Sequence, residues 1–229
     1  DVFSFEKVGS VGGAISQHAV TEYNGQAFWL SNNGQFYTYR GGTPQILQCP
    51  IRETIWGNLD QDQADKVFAG INAEFNEVWW FYPDSRDGDE CSRYVAFNWV
   101  DNHWTIGVMD RSSWIQGGVF QYPIGFDTTN SKLYYHEKGT DADGSTLPWH
   151  LETGKFDIDD GHKHFNIKRY IPDFARQVGN LTATFNFWNR ARGSEMNTAS
   201  THTITPTTEE ALFRHSGRIG SIKWENASG

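Results

Sequence analysis

The sequence predicts an all-β fold: propeller-like blades of short antiparallel strands followed by a small β-sandwich. Three observations predict it. Short runs of aromatic and β-branched residues, separated by Gly, Asn and Asp, fill nearly the whole 229-residue chain. One strand–turn–strand layout recurs at intervals of roughly 40–55 residues, the range for blades of four short strands. The stretch NEVWWFYP, Asn76 to Pro83, sets four aromatic residues in succession. Successive side chains of a strand point to opposite faces, so Trp79 and Phe81 share one face, Trp80 and Tyr82 the other. Both faces then need cover, which stacked sheets provide. All four are read as core, ahead of an exposed aromatic platform for sugars or bases.

The elements follow in order. AFWLSNNGQFYTYRGG (Ala27 to Gly42) is a strand, an Asn-Asn-Gly turn and a strand of alternating aromatics. AGINAEFNEVWWFYPD (Ala69 to Asp84) repeats the layout around Phe75-Asn76. SRYVAFNWVDNHWTIG (Ser92 to Gly107) is a further hairpin, turning at Asp101-Asn102. VMDRSSWIQGG supplies an aromatic-bearing strand leading to PIGFDTTNSKLYYHEKG (Pro123 to Gly139), which turns around Thr128–Asn130. The turn asparagines Asn33, Asn76 and Asn130 mark the repeat. Composition changes near residue 150, dividing a blade-repeat region (1–150) from a sandwich region (151–229). In the second region, GKFDIDDGHKHFNIKRYIPDF reads as a hairpin turning at Asp159-Asp160-Gly161, with Phe156–Ile158 and Phe165–Ile167 as its arms. Leu181 to Ala191 alternates strictly, THTITPTTE reads as a Thr-rich edge strand, and GRIGSIKWEN alternates more loosely. Helix signals are scarce; the best candidate is TTEEALFRH, Thr207 to His215.

Bulk properties bound the function. A net charge of -9 and a pI near 5.3 argue against electrostatic wrapping of nucleic acid, which needs a basic surface. Two cysteines, Cys49 and Cys91, form neither a disulfide framework nor a metal pair and read as free buried thiols. No apolar run approaches the ~18 residues of a membrane helix, so no membrane span is expected. The start, DVFSFEKVGS, lacks signal-peptide features. Without an initiator Met, the chain reads as processed or as a piece of something longer. In the absence of a secretory signal, Asn180-Leu-Thr and Asn226-Ala-Ser are chance glycosylation patterns.

No catalytic constellation rises above background. His162 and His164 stand at i and i+2 beside Asp159 and Asp160, but the acidic spacing is wrong for a calcium loop and a third zinc ligand is lacking. A polar turn without metal is expected, and TDADGS (Thr140 to Ser145) likewise reads as a loop. Glu74, Glu77, Asp84, Asp87, Asp89 and Glu90 cluster around turns, where acids are common in any protein. There is no Gly-x-Ser-x-Gly, no phosphate-binding glycine loop and no dinucleotide fingerprint, so neither an enzyme nor a cofactor is expected. Arg214, His215, Arg218 and Lys223 form a basic stretch in an acidic chain. It reads first as solvated strand surface and second, through Arg214, Arg218 and Lys223, as a contact with DNA or an acidic partner.

Three stretches resemble the tail-hub, or nozzle, proteins of short-tailed bacteriophages, also described as packaged-DNA stabilisation proteins. They are AVTEYNGQAFWLSNNGQFYTYRGG, VFAGINAEFNEVWWFYPD with YVAFNWVDNHWTIGVMDRSSW, and GKFDIDDGHKHFNIKRYIPDF with FRHSGRIGSIKWEN, covering about Ala19 to Trp224. The resemblance implies a non-enzymatic virion protein made in the host cytoplasm, a homo-hexameric ring below the portal and adaptor proteins. Its channel would retain packaged DNA and conduct it at ejection, with fibres, spikes or a needle attached nearby. An acidic lumen would let DNA slide. About three blade repeats are present, whereas a closed propeller needs at least ~4. The alternative is a carbohydrate- or receptor-binding propeller with Trp104 and Trp114 exposed for stacking on sugars.

Overall fold

The computed structural model describes residues 7, 9–139, 141–175, 177–190 and 198–226. The start DVFSFE, Thr140 of the TDADGS loop, Ala191 and the Ala-Ser after Asn226 lie outside them. The fold is all-β, with several antiparallel sheets. The chain divides into two compact units, Asp1–Lys138 and Gly139–Gly229; the composition change had suggested a boundary near 150. The strand at His150–Glu152 belongs with the second unit because it pairs with the last strand of the chain.

In the first unit, β1 (Val20–Tyr23), β2 (Gln26–Leu30), β3 (Phe36–Tyr39) and β4 (Gln45–Leu47) form one antiparallel meander. A short helix α1 (Arg52–Asn58) and a 3-10 turn (Gln61–Lys66) lead to a second meander. That sheet comprises β5 (Phe68–Asn72), β6 (Glu77–Pro83), β7 (Cys91–Asn98) and β8 (His103–Val108). A third sheet follows, β9 (Ser113–Ile115), β10 (Ile124–Asp127) and β11 (Lys132–Tyr135), in the order β11-β10-β9. The turns take the residues their geometry needs. Asn24-Gly25, Asn76 and Asn102 all have positive φ, which Asn and Gly tolerate at least cost.

The aromatic run Trp79 to Tyr82 lies on β6, an interior strand of its sheet. Val78, Trp80 and Tyr82 pack with Phe28, Leu30 and Phe36 of the first meander. Trp79 and Phe81 pack on the other side with Phe68, Ala96 and Trp114. All four aromatics are buried. The second meander is therefore sandwiched between the first and the third. The polar edges of the rings are satisfied, with Trp80 Nε1 donating to Ala19 O at 3.1 Å and Trp79 Nε1 to Glu77 Oε2 at 2.8 Å. Close approach of the sheets needs Gly70 on β5, since a Cβ there would stand 2.5 Å from Trp114 Cδ1.

The second unit contains a two-residue ladder, β12 (Asp141–Ala142) and β13 (Ser145–Thr146), then β14 (His150–Glu152), β15 (Phe156–Asp157) and β16 (Phe165–Tyr170). The long strands β17 (Leu181–Trp188), β18 (Thr198–Ile204), β19 (Ala211–Gly217) and β20 (Ile219–Asn226) complete it. One sheet runs β14-β20-β17-β18, with β15 also on β20; the other pairs β16 with β19. Alternate residues of β17, Leu181, Ala183, Phe185 and Phe187, meet Phe213, Phe165 and Ile167 between the two layers. β18, the Thr-rich strand, is an edge.

Two expectations are corrected. Thr207–His215 is not a helix: a turn at Thr205–Thr208 precedes β19, where exposed Leu212 and buried Phe213 alternate as a half-covered strand requires. The only α-helix among the described residues is α1, two turns long and without a side-chain cap, so it carries little signal. The Asp159-Asp160-Gly161 turn is present with positive φ at all three residues, but its arms do not pair with each other. β15 joins β20 and β16 joins β19, so the turn is a corner between two sheets.

Candidate functional site

The starts of β1, β5, β7 and β9 gather around a cleft of about 530 Å³. Gln17 and His18 enter from the segment before β1, Asp65 and Lys66 from the 3-10 turn before β5, Glu90 and Cys91 from the start of β7, and Ser112 to Trp114 from β9. The backbone links these elements directly, with Ala69 N donating to His18 O at 2.8 Å. Lys66 Nζ donates to Glu90 Oε1 and to Asp89 O, each at 2.8 Å. The hydrogen bond to Glu90 raises the lysine's pKa. Its charge is thereby committed, leaving Asp65 as an exposed carboxylate nearby.

The Cys91 thiol is buried, donates to Lys66 O at 3.3 Å, and is pushed up to about 12 by burial, so at neutral pH it stays protonated and unreactive. Cys49, also free, is pushed up to about 11 by burial. Trp114 stacks on Trp79 at 5.6 Å with an interplanar angle of 22°, and its Nε1 donates to Ile71 O at 2.9 Å. It is half-buried, so part of the ring lines the cleft. Trp104 lies elsewhere, packed on Phe36 and Phe97 with its Nε1 donating to Gln48 O at 2.9 Å.

Of the acids singled out around turns, Asp84 and Asp87 are held by arginines. Asp84 is buried, accepts from Arg86 Nε and Nη2 at 2.7 Å each, and lies 3.1 Å from Arg93 Nε. The Arg86 hydrogen bond holds its pKa below the usual carboxylate value. Arg93 also donates to Asp87 at 2.6 Å, so these two carboxylates fasten the β6–β7 turn. Glu90 alone of the candidates faces the cleft.

In the second unit, His162 and His164 are exposed on the turn, where Lys163 pairs with Asp159 at 2.6 Å. Among the described residues, no group of three or more His, Cys, Asp or Glu is placed to hold a metal ion. Arg214 is exposed on β19. Arg218 donates through Nε to Gly161 O at 2.6 Å, and Lys223 pairs with Glu225 at 2.6 Å. The structure therefore gives Arg218 and Lys223 internal partners and puts Arg214 on a different sheet from Lys223. Ser200 Oγ and His202 Nε2 are 2.8 Å apart, but the imidazole packs on Phe213 at 4.8 Å as part of the apolar layer.

Sequence reasoning did not single out His18, Asp65, Lys66, Ser112 or Ser113. Each precedes or opens a strand, and alignment of the repeats on their strand starts, in place of their turns, would bring them to one end. Comparison with protein-family models and with curated proteins finds no match. No helix among the described residues is long and apolar enough to cross a membrane.

Proposed function

We propose that this chain is a non-enzymatic structural protein of a phage virion, a tail hub or nozzle whose channel retains packaged DNA and conducts it at ejection. The observation that carries the reading is where the family-like segment falls. Its Glu77–Pro83 part is β6, an interior strand of a stacked meander with Val78 to Tyr82 buried, so the resemblance rests there on framework residues, as a structural role requires. The stacking of four-stranded meanders with their first strands side by side supports a propeller-like arrangement. The net charge of -9 suits a wall along which DNA slides. Expected partners are further copies in a ring, expected to be hexameric, portal or adaptor proteins, and fibres, spikes or a needle. The site of action would be the virion, after synthesis in the host cytoplasm. Electron microscopy of the assembled protein tests this: rings with an axial hole are expected, and particles lacking any hole would reject it.

A second reading, a carbohydrate-binding module, is favoured by one observation: Trp114 lines the cleft together with Gln17, His18, Asp65 and Glu90. An aromatic face beside hydrogen-bonding groups suits a sugar. Titration of a glycan panel against tryptophan fluorescence would support it if saturable quenching disappeared in Trp114→Phe.

A further inference from the structure

In the second unit, the two-stranded sheet β16–β19 has one packed face and one open face. Phe165, Ile167 and Tyr170 of β16 and Phe213 of β19 enter the apolar layer with β17. On the other side Arg169 pairs across the strands with Leu212, and Asn166 with Ser216, all four exposed. The register shifts between Ile167 and Arg169, which leaves exposed Lys168 opposite Phe213 and exposed Arg214. Arg169 Nη1 stands 3.5 Å from Glu210 Oε2, whereas Lys168 and Arg214 have no ion-pair partner among the described residues. Like charges facing each other across two strands repel, so an anion brought from outside stabilises this face. Leu212, 67% exposed, is flanked by Arg169 across the strands and by Arg214 along β19. The cleft of the first unit is the converse. Val20, Phe68, Ala69 and Trp114 give it an apolar lining, Asp65 and Glu90 are exposed at it, and exposed Asp89 adjoins Glu90. Glu90 through a hydrogen bond, then Asp89 and Asp65 through their charges, raise the pKa of Lys66, so three carboxylates act on one ammonium. Charge divides along the chain in the same sense. Gly139–Gly229 holds 10 of the 19 Lys and Arg but only 11 of the 28 Asp and Glu, so nearly all the excess negative charge belongs to the first unit.

We propose that the outward face of β16–β19 docks on the cleft of a second copy of this chain, Leu212 entering against Trp114 and Val20 while Lys168 and Arg214 meet Asp65 and Asp89 beside it. A specific contact needs an apolar centre and a complementary polar margin, and this one occupant supplies both. Exposed ion pairs contribute little each, so burial of Leu212 supplies affinity and the charges fix which faces meet. Duplex DNA would satisfy the cations but leave Leu212 against phosphates. The two surfaces are unlike, so the contact is head to tail. Such contacts repeat from copy to copy and either close into a ring or run on as a filament. The docking needs no virion role; it deepens the preceding reading only by naming the contact through which copies would join.

The test is light-scattering mass of the purified full chain at micromolar concentration and at low and high salt. It is repeated with the charge-reversed pairs Lys168→Glu with Arg214→Glu and Asp65→Lys with Asp89→Lys. The wild type is expected above one chain mass, losing mass as salt screens the contact. Each reversed pair sets like charges against each other and is expected at one chain mass, with unchanged far-ultraviolet circular dichroism. Mixing the two variants, or joining all four substitutions in one chain, should restore the assembly, because opposite charges then face each other again; misfolded chains would not complement. Leu212→Ala should weaken assembly about tenfold with the charges intact. A monomeric wild type overturns the proposal, as does an assembly that either reversed pair leaves whole. Single chains that bind labelled duplex through Lys168 and Arg214 would assign this face to nucleic acid instead. Rings seen by microscopy in both reversed variants would leave the virion role standing and remove this inference alone.

Discussion

Trp80 is wholly buried, between Phe36 at 4.8 Å and Trp104 at 6.2 Å, and its indole N–H is satisfied. Removing such a ring leaves a cavity between sheets that cannot collapse, so Trp80→Ala is expected to cost about 3–5 kcal/mol in urea unfolding. A loss below 1 kcal/mol would contradict its core position. His136 is the residue with the clearest pH signature. It accepts from Arg111 Nε at 2.9 Å, and burial, reinforced by the Arg111 charge, pushes its pKa down from 6.5 to about 4. The folded state therefore resists a proton that the unfolded chain accepts, so stability falls as pH drops from about 6.5 towards 4 and this contribution is flat below. Urea midpoints across that window should fall with acidity, and His136→Gln should flatten part of the slope. An unchanged slope would show that His136 is free to protonate in the fold.

At the scale of elements, sheet spacing depends on small residues that hydrophobic patterning ignores. A Cβ on Gly70 would enter the ring of Trp114, so Gly70→Ala should displace that indole and destabilise the first unit by about 1–3 kcal/mol. A red-shifted tryptophan emission would accompany the loss; an unchanged spectrum and midpoint would mean that the third sheet sits farther from β5. The hairpins were legible because Asn-Asn-Gly, Asp-Asn and the Phe75-Asn76 turn announce themselves locally. The Asp159-Asp160-Gly161 turn was equally legible as a turn but not as a corner, since its arms find partners on distant strands, Phe156 opposite Gly220 and Phe165 opposite Gly217. Local sequence specifies that the chain reverses; distant strands decide where each arm goes.

For the whole molecule, the charge balance makes a prediction about DNA. The net charge of -9 is multiplied in any assembly, and Arg218 and Lys223 already have internal partners. Of the basic stretch that leaves Arg214 exposed, which neutralises few phosphates by itself, and each neutralised phosphate contributes roughly one unit to the salt slope of binding. Titration of labelled duplex at two salt concentrations should therefore give weak binding at physiological salt with a shallow slope. Tight binding that collapses as salt rises, weakened by Arg214→Ala, would point to a DNA clamp.

The sequence by itself determined the all-β class, the positions of the turns and the two-sided burial of Trp79 to Tyr82, because these follow from the period of two along a strand and from turn chemistry. The cleft and the strand status of Ala211–Gly217 were decided only by tertiary structure. The cleft assembles from strand starts far apart in sequence, and its polar residues, such as Gln17, Asp65 and Glu90, read locally as ordinary surface. Ala211–Gly217 is a strand because β16 offers it a partner and Phe213 an apolar layer to enter, which outweighs the helical tendency of the Thr-Glu-Glu-Ala-Leu run.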